Sequence, residues 1–564
     1  MKVGKVVLVD GYTDLPFGLG TPPFLGPEVR YTAGACWDRD DKARVIYVTH
    51  EDLRAGRKSS LLSDAEVVMV YAGHREAAPS VRPSEGVNGP EISTLQDLVD
   101  YIAYLDCPKV LGGPYVMAND GKVDDKFNFD VTVTGDLSKY AHGLLSEGGK
   151  VDSVDPSLLR TNEDTNAFSI LGAGLAVQNN GYPSFISCAV ELYRGCPSAS
   201  MGGCSFCHET RYTTVEYRPV EDVVAEVAKL AELGCENLVF DCPCFFSYFS
   251  SPEEEEGLSL DPSAIEKLLE GTRSVGPELR SVHIANINPG VVARNPDSSK
   301  RIVKLLLKHC SDGNFPNFRV VTFDDEVALQ NNTQSSWEES TGAIEMLADH
   351  GAEEGPGGLP RLLPTIELVY GLSGEREETI EINLANLREL SGAGRIRGVL
   401  VRNLVPVPGT PISKRDDLIR LEGMDEHLRV LGEEINQAAR QSLAEPGRLI
   451  KDVFPYRAVD DWAAAKKIGV NPVELKVHGA PEINALQDVR ITSVGNGELE
   501  AVSQPLVPKT VSREVLRRVP SMTEEIIDQF MRERPQEAED FYHLFDEPAT
   551  ARMAAAYFDF SAGE

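Results

Sequence analysis

The sequence predicts an α/β protein: an N-terminal Rossmann-like parallel sheet domain, a partial (βα)6 barrel after it, and a small α+β C-terminal region. Three observations predict this. Two successive stretches alternate short β-branched runs with helix-periodic segments. The short runs are continuously apolar, as in strands covered on both faces. At 564 residues the chain exceeds one hydrophobic core and divides into about three or four domains of ~100–200 residues each.

In the first domain, residues 1–150, strands are expected at 5–10, 43–49, 66–72, 109–113 and 130–134. A Pro/Gly-rich loop, 15–27, follows the first strand, and Gly112, Gly113 and Pro114 end the fourth. Open α/β sheets place ligands outside such strand ends. Residues 151–182 are polar and Gly-rich and read as a linker. The second alternation, 183–411, has strands at 185–190, 237–241, 281–286, 318–322, 365–370 and 399–405, with helices at 219–233, 262–271, 298–309, 340–350 and 379–390. Six strands with intervening helices suggest the partial barrel, whose chemistry would gather at the carboxyl ends of the strands. Residues 412–487 read as a helical extension with a helix over 424–443. A short β segment, 488–506, and a helical tail from Ser512 complete the last region, 488–564.

The chain carries 55 Lys+Arg against 88 Asp+Glu, a net charge of -33. The acidic residues are spread along the chain apart from the run 253–256, which favours adaptation to a salt-rich cytoplasm over an acidic docking surface. It disfavours broad, nonspecific nucleic-acid binding, which rests on basic patches. No apolar run reaches a membrane span, and residues 1–10 lead straight into a strand pattern, so a cytoplasmic location without membrane contact is expected. The ten cysteines are then free thiols and metal ligands.

Residues 191–209, ELYRGCPSASMGGCSFCHE, put Cys196, Cys204 and Cys207 on one Gly-rich loop directly after the first strand of the second domain. Three thiolates on one loop can bind three irons of a [4Fe-4S] cubane and leave the fourth open to a substrate. A zinc site with His208 as fourth ligand is the competing reading. Asp241 after the second strand, and Asn286 and Asn288 after the third, are candidate polar contacts to a ligand or, alternatively, turn residues. Cys242 and Cys244 form a C-x-C beside them. They are candidates for a second metal or for sulfur or radical chemistry, with two small side chains packed around Pro243 as the bland alternative. Cys188, Cys235 and Cys310 read as core.

The cysteine loop resembles that of the radical S-adenosylmethionine (SAM) superfamily, commonly C-x3-C-x2-C with an aromatic residue before the last cysteine. Here the spacing is C-x7-C-x2-C and the aromatic residue is Phe206. The resemblance implies a [4Fe-4S] cluster, SAM on its open iron, Phe206 against the adenine end of SAM, and a ferredoxin-like electron donor. GLSGE, with Gly371, Gly374 and Glu375, and VPVPGT at 405–410 look like motifs of the branch that includes methylthiotransferases and cobalamin-linked enzymes. Over most of residues 1–411 the chain resembles an archaeal radical SAM family, through DGYTD (10–14), TPPFLGPEVRYTAGA (21–35), IANINPG (284–290), residues 357–379 and VRNLVPVPGT (401–410). Where that family's fourth strand ends in Glu-Ser, this chain has Thr322-Phe323, so no SAM contact is carried over there.

The first domain resembles the cobalamin-binding-like domain that precedes many radical SAM barrels. That implies either a corrin at Pro22, Pro23, Gly26 and Gly112 to Pro114, or a structural lid. The 15–27 loop holds no His ligand. Residues 511–530 resemble half of a helix-hairpin-helix, with Pro520-Ser521-Met522 in place of the usual Pro-Gly turn, and make structured RNA the first candidate partner. Three functions follow: C–H functionalisation of a macromolecule such as RNA, cobalamin-dependent methylation of a protein or small molecule, and a nonenzymatic iron-sulfur or zinc scaffold. The charge reading predicts that the melting temperature rises with KCl over the molar range; a steady fall would contradict it.

Overall fold

The computed structural model describes residues 4–11, 24–73, 79–81, 95–212, 214–253, 257–415, 418, 424–495 and 498–561. Five parallel strands form the N-terminal sheet, in the order Arg44–Thr49, Lys5–Asp10, Val67–Tyr71, Lys109–Gly112, Val131–Thr132. The period-2 pleat explains the unbroken apolar run of the strand Lys5–Asp10: Val6 and Leu8 enter one core cluster, Val7 and Val9 another. Most of the loop 15–27, including Pro22 and Pro23, lies outside the described residues.

The second set is a parallel array in sequence order: Ser187–Glu191, Asn237–Asp241, Ser281–Ile284, Asn286–Ile287, Asn317–Val321, Thr365–Tyr370 and Gly398–Asn403. The third strand breaks at Ala285, which carries the ladder across the break: its N–H donates to Phe240 O at 2.9 Å and its O accepts from Asn317 N at 2.8 Å. The five expected helices are present as Val220–Glu232, Pro262–Val275, Pro296–His309, Trp337–Gly351 and Glu377–Gly392. Asp261 and Ser336 start two of them by accepting from the first-turn amides.

Three expectations are corrected. First, the two α/β units are not independent. Phe24–Leu25 pairs parallel to Ser187 and Cys188 at one edge of the array, and Pro79–Val81 pairs antiparallel to Val401 and Arg402 at the other, so N-terminal segments cover both exposed edges.

Second, the stretch 151–182 is not a linker. Asn162–Gly172 is a helix begun by a Thr161/Asp164 capping box and continued as a 3-10 turn, Ala173–Gln178. Its polar, Gly-containing composition reflects close packing on the helix Pro27–Arg39. A Cβ on Gly172 would sit 2.0 Å from Arg30 O, and one on Gly34 1.9 Å from Phe168 O.

Third, the helical extension ends with the helix Met424–Leu443, and residues 449–503 form a closed five-stranded barrel. Its order is Leu449–Val459, Trp462–Lys467, Val473–His478, Glu498–Ser503, Gln487–Gly495, a small Greek-key barrel of the OB type. WAAAKK (462–467) has helix-forming composition and becomes a strand because its alanines are buried in the small barrel. The following loop plugs the bottom of the parallel array. Val470 packs on Ala189, Val239 and Ala285, while Asn471 Nδ2 donates to Phe315 O and Asn317 Oδ1, both at 2.8 Å.

The tail helices, Arg513–Leu516, Glu524–Glu533, Ala538–Tyr542 and Pro548–Ala555, pack around Phe530, Phe541 and Tyr557. Ser521 adopts the left-handed conformation, φ +69, where a hairpin turn ordinarily takes glycine.

A buried ion network joins the two sheets. Glu226, on a helix of the array, pairs with Arg30 of the first helix at 2.7 Å and with Arg218 at 2.6 Å, and accepts from Tyr31 Oη at 3.2 Å. Burial opposes ionisation, but the two guanidinium groups hold the Glu226 carboxyl below its usual range. Glu226 is thus an acidic side chain withdrawn from solvent, as are Asp52, Asp241, Asp324 and Glu367. Glu226→Gln should cost about 3–5 kcal/mol in denaturant unfolding, because it strands two buried cations; a loss under about 1 kcal/mol would show that the network is not holding the sheets together.

Candidate functional site

The cysteine loop is shaped by glycines and tied to its neighbours. Gly195, Gly202 and Gly203 all take positive φ, and a Cβ on Gly195 would lie 2.9 Å from Thr214 O. Glu209 closes the loop by accepting from Gly195 N at 3.1 Å. Ser205 fixes it from both sides: its N and Oγ donate to Asn331 O at 2.9 Å and Asn331 Oδ1 at 3.0 Å, and its O accepts from Ile412 N at 3.0 Å. Asn332 Nδ2 adds a bond to Gly203 O at 2.7 Å.

Cys196, Cys204 and Cys207 are held close enough for their charges to interact, with Cys204 raised by both of the others. Burial is the main cause in each case. It pushes the thiols of Cys196 and Cys204 up and that of Cys207 to about 12, so each holds its proton until a metal displaces it. Among the described residues no three His, Cys, Asp or Glu side chains converge on one point, as a mononuclear ion requires. A cubane makes a different demand, because each cysteine takes its own iron and the sulfurs stay further apart. Three thiols on one tethered loop fit that group. His208, the alternative fourth ligand, has its Nε2 3.4 Å from Glu209 Oε1.

Phe206, Cys207 and Glu209 form part of the wall of a cleft of about 1780 Å³, open mouth included. The carboxyl ends of both sheets face it: Tyr71, Gly113 and Asp136 from the N-terminal sheet, and Glu191, Asp241, Cys242, Asn286, Glu367 and Arg402 from the array. On the array side, Arg402 Nε meets Glu367 Oε1 at 2.6 Å, and Arg319 Nη2 donates to Asn286 Oδ1 at 3.2 Å. Asn286 Nδ2 donates to Cys242 O at 2.9 Å and reaches Asp241 Oδ1 at 3.4 Å. Burial pushes Asp241 well above the carboxylate range, with Arg319 opposing. On the other side, Arg160 bridges the two sheets. It donates to both Glu28 oxygens at 2.7 and 2.8 Å and to Glu191 Oε2 at 2.5 Å, and its Nη1 lies 3.3 Å from Asp136 Oδ1.

Of the residues singled out by sequence, Phe206, Cys207, Asp241, Cys242 and Asn286 meet at the cleft. Asn288 does not line it: its Oδ1 caps the helix Pro289–Arg294 by accepting from Val291 N, and its N–H donates to Cys244 Sγ at 3.3 Å. Cys244 is buried behind the wall, its backbone bracketed by Tyr193 Oη. Gly371, Gly374 and Glu375 form a closed turn, in which Glu375 Oε2 accepts from Gly371 N at 2.9 Å. Leu372 of that turn packs with Val369 and Ile412 in the apolar cluster that supports Phe206. Thr322 and Phe323 are buried against Asn383, and of residues 321–323 Val321 lines the cleft, with φ +72, a strained value for a β-branched residue.

Arg319, Glu367 and Arg402 were not anticipated. Their signal was a charge inside an otherwise apolar strand, as in TIELVY. Asp136 was marked by its place, with Gly135, at the end of the fifth strand of the first domain, whereas Glu28 and Arg160 carried no local signal, since their roles come from the packing of distant segments.

No protein-family model matches the sequence. The chain is 35% identical over 494 residues to an uncharacterized protein of Methanocaldococcus jannaschii, spanning 84% of this chain and 88% of that one. An uncharacterized protein of Archaeoglobus fulgidus is 28% identical over 510 residues, 89% of this chain and 90% of that one. The chain belongs to the family of the Methanocaldococcus protein. Among solved structures it is similar to the radical SAM methyltransferase TsrM from Kitasatospora setae with cobalamin and [4Fe-4S] cluster bound, at 15% identity and TM-score 0.47 over 72% of this chain and 77% of that one. It is also similar to the cobalamin-dependent SAM radical enzyme OxsB with aqua-cobalamin bound, at 10% identity and TM-score 0.47 over 69% and 52%. No described helix is long and apolar enough to cross a membrane.

Burial raises Glu375 from 4.5 to about 7. Between those values the folded chain keeps a proton that the unfolded chain releases, so this group makes stability fall as pH rises through the window. Glu375→Gln should flatten the slope of unfolding free energy between pH 5 and 7.5; an unchanged slope would place the carboxyl in water.

Proposed function

We propose that the protein is a radical SAM enzyme: Cys196, Cys204 and Cys207 hold a [4Fe-4S] cluster, SAM binds its open iron, and a C–H bond of a substrate in the cleft is functionalised. The observation that carries this reading is the set of three thiols on one glycine-shaped, tethered loop, close enough for their charges to interact, with Cys207 in the wall of the cleft. When bound, cluster and SAM supply a one-electron cleavage to methionine and a 5'-deoxyadenosyl radical, driven by a ferredoxin-like donor. The chain's own residues bind and orient. Phe206 offers an apolar face for the adenine, while Asp241 and Asn286 offer polar contacts in the cleft that Cys207 also lines. Both sheets wall the cleft and limit the water around the reacting atoms.

For the substrate, the hairpin turn at Ser521 supports structured RNA. Against it, the nearby arginines are already committed within the chain: Arg513 and Arg517 to Glu524 at 2.8 and 2.6 Å, and Arg518 to Glu500 at 3.3 Å. A phosphate backbone would have to displace them. The second reading, cobalamin-dependent methylation of a protein or small molecule, is favoured by one observation: Gly113, Pro114 and Gly135, at strand ends of the N-terminal sheet, face the same cleft as Cys207. Cobalt content after anaerobic purification separates the two, and retention of cellular RNA tests the first.

Anaerobic reconstitution with SAM and dithionite should yield 5'-deoxyadenosine; none from an iron-loaded protein would favour a nonenzymatic scaffold. Replacing any of the three loop cysteines by Ala should remove most iron and all SAM cleavage, whereas Cys235→Ala or Cys310→Ala should leave iron near normal. His208→Ala should cost little metal, and the reading is wrong if it empties the site while Cys196→Ala does not.

A further inference from the structure

A buried guanidinium with unpartnered donors lies at the opposite end of the array, where it meets the C-terminal barrel. Arg397 stands directly before the strand Gly398–Asn403, and its N–H donates to Pro364 O at 2.9 Å, fixing it to the bottom of the sheet. The residue is 2% exposed. Its guanidinium lies over the ring of Phe315, 5.3 Å from the centroid. Phe315 belongs to an apolar cluster completed by Ile450, Val473 and Leu475 of the barrel, so the guanidinium enters the junction away from water.

Among the described residues, Nε and Nη1 of Arg397 meet no acceptor. The carboxylate whose field reaches it, Glu474, already pairs with Lys466 at 2.9 Å. Arg440 adds a like charge. It sits one turn beyond Asn436, whose side chain brackets the backbone of Val399 at 2.8 and 3.2 Å and so lays that helix along the strand that Arg397 precedes. Burial first, then Arg440, lowers Arg397 to about 10, which still leaves it protonated at neutral pH. A guanidinium keeps its charge, and a buried ion without a partner is strongly unfavourable.

We propose that Arg397 holds a chloride ion at the junction of the parallel array and the C-terminal barrel, donating to it from the guanidinium. The apolar surroundings favour a small anion that sheds its water readily over phosphate or sulfate, whose oxygens need many more donors than Arg397 offers. The bound anion neutralises the buried charge and couples the docking of the barrel, and with it the Val470 plug, to the halide content of the surroundings. The site is independent of the cluster loop.

The test separates chloride from ionic strength. Melting curves of the full chain are recorded at fixed ionic strength while potassium glutamate is exchanged for potassium chloride. The melting temperature of the wild type should rise with the logarithm of chloride concentration, as for any ligand of the folded state, and that of Arg397→Met should not respond to the exchange. Equal chloride dependence in both proteins would overturn the proposal. If Arg397→Met does not fold, crystals of the wild type soaked in bromide decide: an anomalous peak within hydrogen-bond reach of the Arg397 guanidinium supports the site, and an ordered water or no peak there overturns it.

Discussion

Two arginines shut away from water, Arg160 and Arg218, set the distance between the two sheets. Arg160 takes carboxylates from the first helix, from the end of the N-terminal sheet and from the first strand of the array, namely Glu28, Asp136 and Glu191. Arg218 shares Glu226 with Arg30 of that same helix and also donates to Glu191 O at 2.7 Å. Charges removed from water tolerate little displacement, because each ångström of separation weakens the attraction that offsets their lost hydration. The cleft is the space this network leaves at the carboxyl ends of both sheets.

The other elements answer that constraint. With the top of the array open, its bottom is closed by the loop of the C-terminal barrel, where Val470 fills the gap left by the small side chains of Ala189, Val239 and Ala285. N-terminal segments pair with both edge strands of the array, which shortens the edge each leaves open to another molecule. The cysteine loop is bound to Asn331, Asn332 and Ile412, and so to the later βα units, which holds its three cysteines in a fixed place, with Cys207 in the wall of the cleft.

The sequence foretold both parallel sheets, because buried strands such as Lys5–Asp10 and Thr365–Tyr370 are mostly apolar and bounded by Gly or Pro. It misled where composition and context disagreed. WAAAKK falls in the stretch read as a helical extension and is a barrel strand; residues 162–172 read as linker and are a helix whose glycine serves close packing. Of the candidate site, Cys207, Phe206 and Asp241 were legible because motif and strand end coincide. Asn288 and Cys244, only a few residues from the cleft, turned out to be a helix cap and a buried support. Arg160 was invisible, since no local pattern marks a residue whose three partners come from positions 28, 136 and 191.

The proposed chemistry depends on the three-cysteine loop holding a cubane with one iron open to SAM at the cleft. Electron paramagnetic resonance of the reconstituted, dithionite-reduced protein, recorded with and without SAM, tests this arrangement. A [4Fe-4S]+ signal is expected whose g-values shift when SAM is added, through coordination to the open iron. A cluster signal unchanged by saturating SAM, or a zinc-loaded protein with no such signal after reconstitution, would contradict it.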